Sequence, residues 1–228
     1  EQMTDNPIVY NMHIAYLLEG QVNVTALQKA LEAVVFRHES LRTVFMVIAG
    51  EPKQKITQFV DFKLDIIDLT STVDPVEKAR QYYRQEAATP FDLRTGPLFR
   101  AKLLKLSDSA NKEQPETHVF ILNAHHIIFD GWSTEILYQE IFTLYSGYCQ
   151  NQVPTLPELR IQYKDYAAWL NKLLANDAIK PHRDYWINKF SGELPVLNFP
   201  LDYPRPEVQR FQGKLLEVSI DETLVEEL

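Results

Sequence analysis

The chain has 228 residues, 31 of them acidic and 23 basic, for a net charge of −8 at neutral pH. That balance lacks the basic stripe a nucleic-acid binder needs, and no run approaches the ~20 apolar residues of a membrane span. The single cysteine, Cys149, excludes an intrachain disulfide, while a hydrophobic share of 45% is ordinary for one large globular domain or two small ones.

Residues 11–18 read as a strand ending at Gly20. Asn23 or Thr25 caps the helix that follows, in which Leu27, Ala30, Leu31, Val34 and Val35 recur on one face. A strand begins near Thr43, and Gly50-Glu51-Pro52 turns it into a second one around 55–60. Leu64–Leu69 is a further short strand. Asp74 caps a polar helix to about Ala88, with Pro75 at its first position. After a loop at Thr89–Leu93, Gly96-Pro97 launches a strand over Leu98–Leu106. The polar run 107–116 is a hairpin loop, and the strand His118–Ala124 delivers His125 and His126.

Ser133 is placed to cap the next helix, whose residues Ile136, Leu137, Ile141, Leu144, Tyr145 and Tyr148 form a wide apolar face. Helices follow near 163–170, with aromatic residues three apart, and near 181–190. Residues 194–210 are Pro-rich and extended, 213–220 alternate like a strand, and 221–228 resemble the first turns of a helix. Strands joined by hairpins, mixed with helices, indicate an α+β sandwich with a mixed, largely antiparallel sheet. The lone cysteine suits a reducing compartment, so a cytoplasmic location is expected. The first residues carry no basic and no apolar targeting region, and the chain does not begin with Met. A piece cut from a longer polypeptide is therefore expected.

The chemistry concentrates in Asn123–Ser133, reading N-A-H-H-I-I-F-D-G-W-S. Side chains alternate along a strand, so His125 and His126 should point to opposite faces. Histidine is the side chain that exchanges a proton near neutral pH. Asp130 can fix the turn or hold a cation. Two adjacent histidines point apart and no third ligand sits at a suitable spacing, which argues against zinc.

Several segments together resemble the condensation domains of nonribosomal peptide synthetases. Arg37-His38-Glu39-Ser40-Leu41-Arg42-Thr43-Val44-Phe45 resembles their second motif, His125–Ser133 their active-site motif H-H-x-x-x-D-G-W-S, and Tyr163–Trp169 their fourth. Tyr185-Trp186 and Pro200–Pro206 are also similar. The paired histidines separate the chain from heterocyclisation domains, which carry aspartates there, and Gly-Trp-Ser fits epimerisation domains less well.

The resemblance implies a chloramphenicol-acetyltransferase-like fold, one lobe of a two-lobe pseudo-dimer with helices on one face of the sheet. A complete domain is about twice this length. Residues 1–175 would then form the N-terminal lobe, 176–212 a helix and crossover linker, and 213–228 the start of a C-terminal lobe. It implies amide formation between a donor acyl or peptidyl thioester and an acceptor aminoacyl thioester. Both ride on phosphopantetheine arms of upstream and downstream peptidyl carrier proteins, next to an adenylation domain. No directly bound cofactor and no metal are implied.

His126 is the position the family uses, as general base or as a hydrogen-bonding positioner of the amine. His125 should turn away into packing. Asp130 would pair with Arg42 and lock the loop; losing one partner of such a buried pair costs about 3–5 kcal/mol. Gly131 would make a tight turn, Ser133 a helix cap, and Trp132 would pack or line the tunnel. Tyr163, Tyr166 and Trp169 read as core. The alternatives are a non-catalytic lobe that binds carrier proteins or serves as scaffold, and another acyltransferase with the same histidine motif.

Overall fold

The computed structural model describes residues 7–108, 115–207 and 218–226. Four strands make the central sheet: β1 (Asn11–Glu19), β4 (Asp65–Asp68), β5 (Phe99–Ser107) and β6 (Thr117–His125), in the order β1-β6-β5-β4. β6 runs antiparallel to both β1 and β5, whereas β4 lies parallel to β5. A separate hairpin pairs β2 (Thr43–Ile48) with β3 (Glu51–Ile56). The α+β class and the mixed, largely antiparallel sheet are as expected.

Alternation along β6 sorts two cores. Phe120, Leu122 and Ala124 face one way, with Phe99, Ala101 and Leu103 of β5. They meet α1 (Val24–Arg37) and α3 (Gly131–Cys149) through Leu27, Leu31, Val34, Leu137, Ile141 and Leu144. Ile121, with Leu104 and Leu106, faces the other way and meets Ala79 of α2 (Pro75–Ala87). Helices therefore cover both faces of the sheet, which corrects the one-face expectation. The cause is legible in β5 and β6, whose apolar residues fall on both sides of the strand.

Caps set the helix starts. Asn23 Oδ1 accepts the Ala26 N–H at 3.0 Å and Asp74 Oδ1 accepts the Glu77 N–H at 2.9 Å. The hairpin turns at Ala49-Gly50, whose φ of 52° and 82° are both left-handed. That two-residue turn matches strand twist, so β3 starts at Glu51, several residues before the expected position.

Beyond α3 come α4 (Tyr163–Leu174), α5 (Lys180–Lys189) and the short α6 (Glu222–Glu226), the last capped by Asp221 through Thr223. The expected strand at 213–220 falls mostly outside the described residues, as does much of the 107–116 loop. Tyr163, Tyr166 and Trp169 are 55%, 44% and 56% exposed, so they are not core. Their rings lie tilted against one another along α4 instead, with centroids 5.8 and 5.7 Å apart.

Ile141 is fully buried between α3 and the sheet. Ile141→Ala should destabilise the intact protein by about 2–5 kcal/mol, read as a lower urea midpoint at unchanged slope. A loss under about 1 kcal/mol would contradict this packing.

Candidate active site

β6 ends at His125, and the chain then turns outward. The His125 N–H donates to the Leu98 carbonyl (2.9 Å) and the His126 N–H to the Tyr10 carbonyl (2.8 Å), so the residues just before β5 and β1 hold the turn. His125 is 2% exposed. Its Nδ1 accepts the Ile127 N–H at 3.0 Å, which places the proton of the neutral ring on Nε2. Phe91 meets the ring edge-on at 6.2 Å and Tyr10 at a tilt at 6.0 Å. This ring is fixed structure.

His126 is exposed and lines a cleft of about 210 Å³. Its other walls include Ser40, Thr43, Phe45, Gln54, Asp130, Ser133 and Tyr163. His126 and Ile127 also border a second, more apolar hollow with Tyr10, Leu93 and His125. His126 and Ile127 are common to both hollows.

Asp130 caps α3. Its Oδ1 accepts the Ser133 N–H at 2.8 Å and the Ser133 Oγ–H at 2.6 Å. The helix thus starts at Gly131, and Ser133 is the partner of the cap rather than the cap itself. A carboxylate is the stronger choice here, because it also meets the positive end of the helix dipole. The two Ser133 bonds, and then the charge of nearby His126, hold the Asp130 carboxyl below its ordinary value.

Arg42 does not pair with Asp130. It donates to the Thr57 carbonyl (2.6 Å) and the Phe36 carbonyl (3.3 Å), and its Nη2 lies 3.7 Å from Glu39. Its guanidinium locks the end of α1 to the strand hairpin, while Asp130 is solvent-exposed. The expected buried pair is replaced by two separate fasteners. Gly131 has no left-handed backbone, and a Cβ there would meet no atom within 4 Å, so no tight turn calls for it. Trp132 is 85% exposed and does not pack into the core.

Sequence reasoning missed Ser40, Thr43, Phe45, Gln54 and Tyr163 as cleft walls. Gln54 stands opposite Phe45 in the hairpin, so a correct register would have found it. Tyr163 is carried in by its neighbour Gln162, which accepts the Glu39 N–H (3.1 Å) and donates to the Arg37 carbonyl (2.9 Å). Lys164 pairs with Glu39 at 2.7 Å. Glu140 of α3 binds both Arg37 and His38, at 3.1 and 2.6 Å. The second motif is therefore a junction for α1, α3 and α4. Among the described residues, no three His, Cys, Asp or Glu side chains are grouped to hold a metal, and no helix is long and apolar enough to cross a membrane.

β6 thus ends in a buried histidine, an exposed one follows it, and Asp130 then starts α3. The condensation-domain family matches residues 1–228, and the chain belongs to that family. It is 42% identical over 221 residues to gramicidin S synthase 2 of Aneurinibacillus migulanus, covering 97% of this chain and 4% of that protein. It is 38% identical over 227 residues to tyrocidine synthase 3 of Brevibacillus parabrevis, covering 100% of this chain and 3% of that one.

Among solved structures, the starter condensation domain of rhizomide synthetase RzmA matches with a TM-score of 0.73 at 23% identity, over 82% of this chain and 44% of that chain. The X-domain in complex with OxyB from teicoplanin biosynthesis matches with a TM-score of 0.77 at 25% identity, over 91% and 44%. The chain thus spans a few per cent of these curated relatives and less than half of these structural neighbours.

Asp130→Ala should cost about 1 kcal/mol, the worth of an exposed cap, with Asp130→Ser recovering most of it. A loss of about 3–5 kcal/mol would instead restore a buried ion pair. Because its folded value is depressed, Asp130 contributes fully above the unfolded value of about 3.9. That contribution fades as pH falls through the lower folded value. In a double-mutant cycle, Asp130→Ala and Arg42→Ala should add within about 0.5 kcal/mol.

Proposed function

We propose that this chain supplies the histidine-bearing half of a peptide-bond-forming site in nonribosomal peptide synthesis. The observation that carries the reading is the division between the two histidines: His125 is buried and bonded, whereas His126 is exposed and borders both a cleft and an apolar hollow. Family membership supports the reaction class.

The acceptor amine attacks the carbonyl carbon of the donor thioester. A C–N bond forms, the C–S bond breaks, and the proton lost by the amine ends on the departing thiol of the donor's phosphopantetheine arm. His126 holds the neutral acceptor amine by a hydrogen bond, takes the proton that the nitrogen sheds as the C–N bond forms, and passes it to the departing thiolate. Asp130 acts on this chemistry through the loop it anchors and through its charge beside His126. The partners are an upstream donor and a downstream acceptor carrier protein, with an adenylation domain loading the arm, and a second lobe supplies the opposite wall. Residues 1–175 serve as the N-terminal lobe, 176–212 as the crossover and 213–228 as the start of that second lobe. A cytoplasmic setting fits a chain with a single cysteine.

The test uses the intact protein with loaded donor and acceptor carrier proteins, following carrier-bound dipeptide by intact mass. Wild type should form the product. His126→Ala should lose about 10²-fold or more, the usual reach of general acid–base help. An unchanged rate would return the chain to the non-catalytic, carrier-binding reading.

A further inference from the structure

The face of the sheet under α2 carries a charged and amide-rich group that the reaction scheme leaves unused. Glu86, at the last turn of α2, is 5% exposed. Its carboxylate lies 2.6 Å from Arg100 Nε and 3.4 Å from Lys102 Nζ. Asn123 Nδ2 donates to the Glu86 carbonyl at 2.8 Å. A carboxylate buried this deeply needs such partners to offset the cost of taking it out of water.

Arg100 spends the rest of its guanidinium on the loop that follows α2. Nη2 donates to the Thr89 carbonyl at 2.7 Å and Nη1 to the Pro90 carbonyl at 3.3 Å. Its Cζ lies 3.8 Å from the centre of the Phe91 ring. Asn11 Nδ2 adds bonds of 2.9 Å to the Ala87 and Thr89 carbonyls. The Phe45 N–H reaches across from β2 to the Leu93 carbonyl at 2.7 Å. A loop is thus clamped from beneath by Arg100 and Asn11 and from the side by β2. Its Phe91 ring presses edge-on against His125, and its Leu93 walls the hollow beside His126.

We infer that Arg100, held by Glu86, is a positioning residue for His126. It acts through Phe91, which backs the His125 ring; His125 Nδ1 in turn fixes the Ile127 N–H and so the direction in which His126 leaves the strand. A lysine could still meet Glu86, but it cannot bond two carbonyls and stack on a ring at once. Burial lowers the readiness of Arg100 to stay charged and Glu86 opposes it, in keeping with a guanidinium committed to this site. The inference rests on the reading of His126 given above.

Arg100→Lys and Phe91→Leu, each in the intact protein, test it, with His126→Ala run alongside. Both should lower kcat about 10- to 100-fold, since a small misplacement near the reacting groups has that cost. KM for the loaded acceptor carrier protein should stay within about twofold, because the lost interaction is one of alignment rather than binding. Rates are taken well below the melting temperature and per folded molecule, which removes a merely structural loss. Wild-type kcat in a folded Arg100→Lys protein, with His126→Ala inactive, overturns the inference, and so does a rise in KM at constant kcat. If Arg100→Lys does not fold, Phe91→Leu decides: reduced kcat supports the relay and wild-type kcat overturns it. If His126→Ala keeps its rate, the reading of His126 fails and the inference falls with it.

Discussion

The hydrogen bond from the Ile127 N–H to His125 Nδ1 is the constraint around which this site is arranged. It closes the turn at the end of β6, keeps one imidazole inside the fold and sends the next one out. Everything nearby supports that division. The residues just before β1 and β5, Tyr10 and Leu98, hold the two histidine backbones, and the rings of Tyr10 and Phe91 lie against the inner imidazole. Asp130 then stops the turn by starting α3. The backbone bonds at His125, His126 and Ile127 fix the point at which the second imidazole leaves the strand.

The three motifs take up distinct structural duties. The histidine motif forms the turn. The second motif is a junction in which Arg37, His38, Glu39 and Arg42 fasten α1 to α3, α4 and the hairpin. The fourth motif docks on that junction through Gln162 and Lys164, and so delivers Tyr163 to the cleft edge. Residues far apart in the chain are thereby tied to one small volume.

Most elements were legible because their signals are local. Asn23, Asp74 and Pro75 announce helix starts, and the 3.6-residue recurrence from Leu27 to Val35 announces the buried face. The opposition of His125 and His126 followed from strand alternation alone. What escaped was long-range or depended on competition. Arg42 and Asp130 have complementary charges, yet the carbonyls of Phe36 and Thr57 and the Ser133 N–H lie closer and satisfy them first. Ser133 and Asp130 are both good caps, and choosing between them required the helix start. Tyr163, Tyr166 and Trp169 have core-like spacing, but spacing does not say whether an apolar face has anything to pack against. The clamp of Arg100 on Phe91 joins α2, β5 and a loop, and no periodicity encodes it.

The two histidines differ in kind, one fixed inside the fold and one exposed at a cleft. Side-chain ¹H–¹⁵N spectra of the intact protein, recorded with and without a loaded acceptor carrier protein, test this most directly. The account predicts that His125 stays in the Nε2–H tautomer with unchanged shifts while the His126 ring signals move on adding the carrier. Movement of the His125 signals with His126 unperturbed would contradict it.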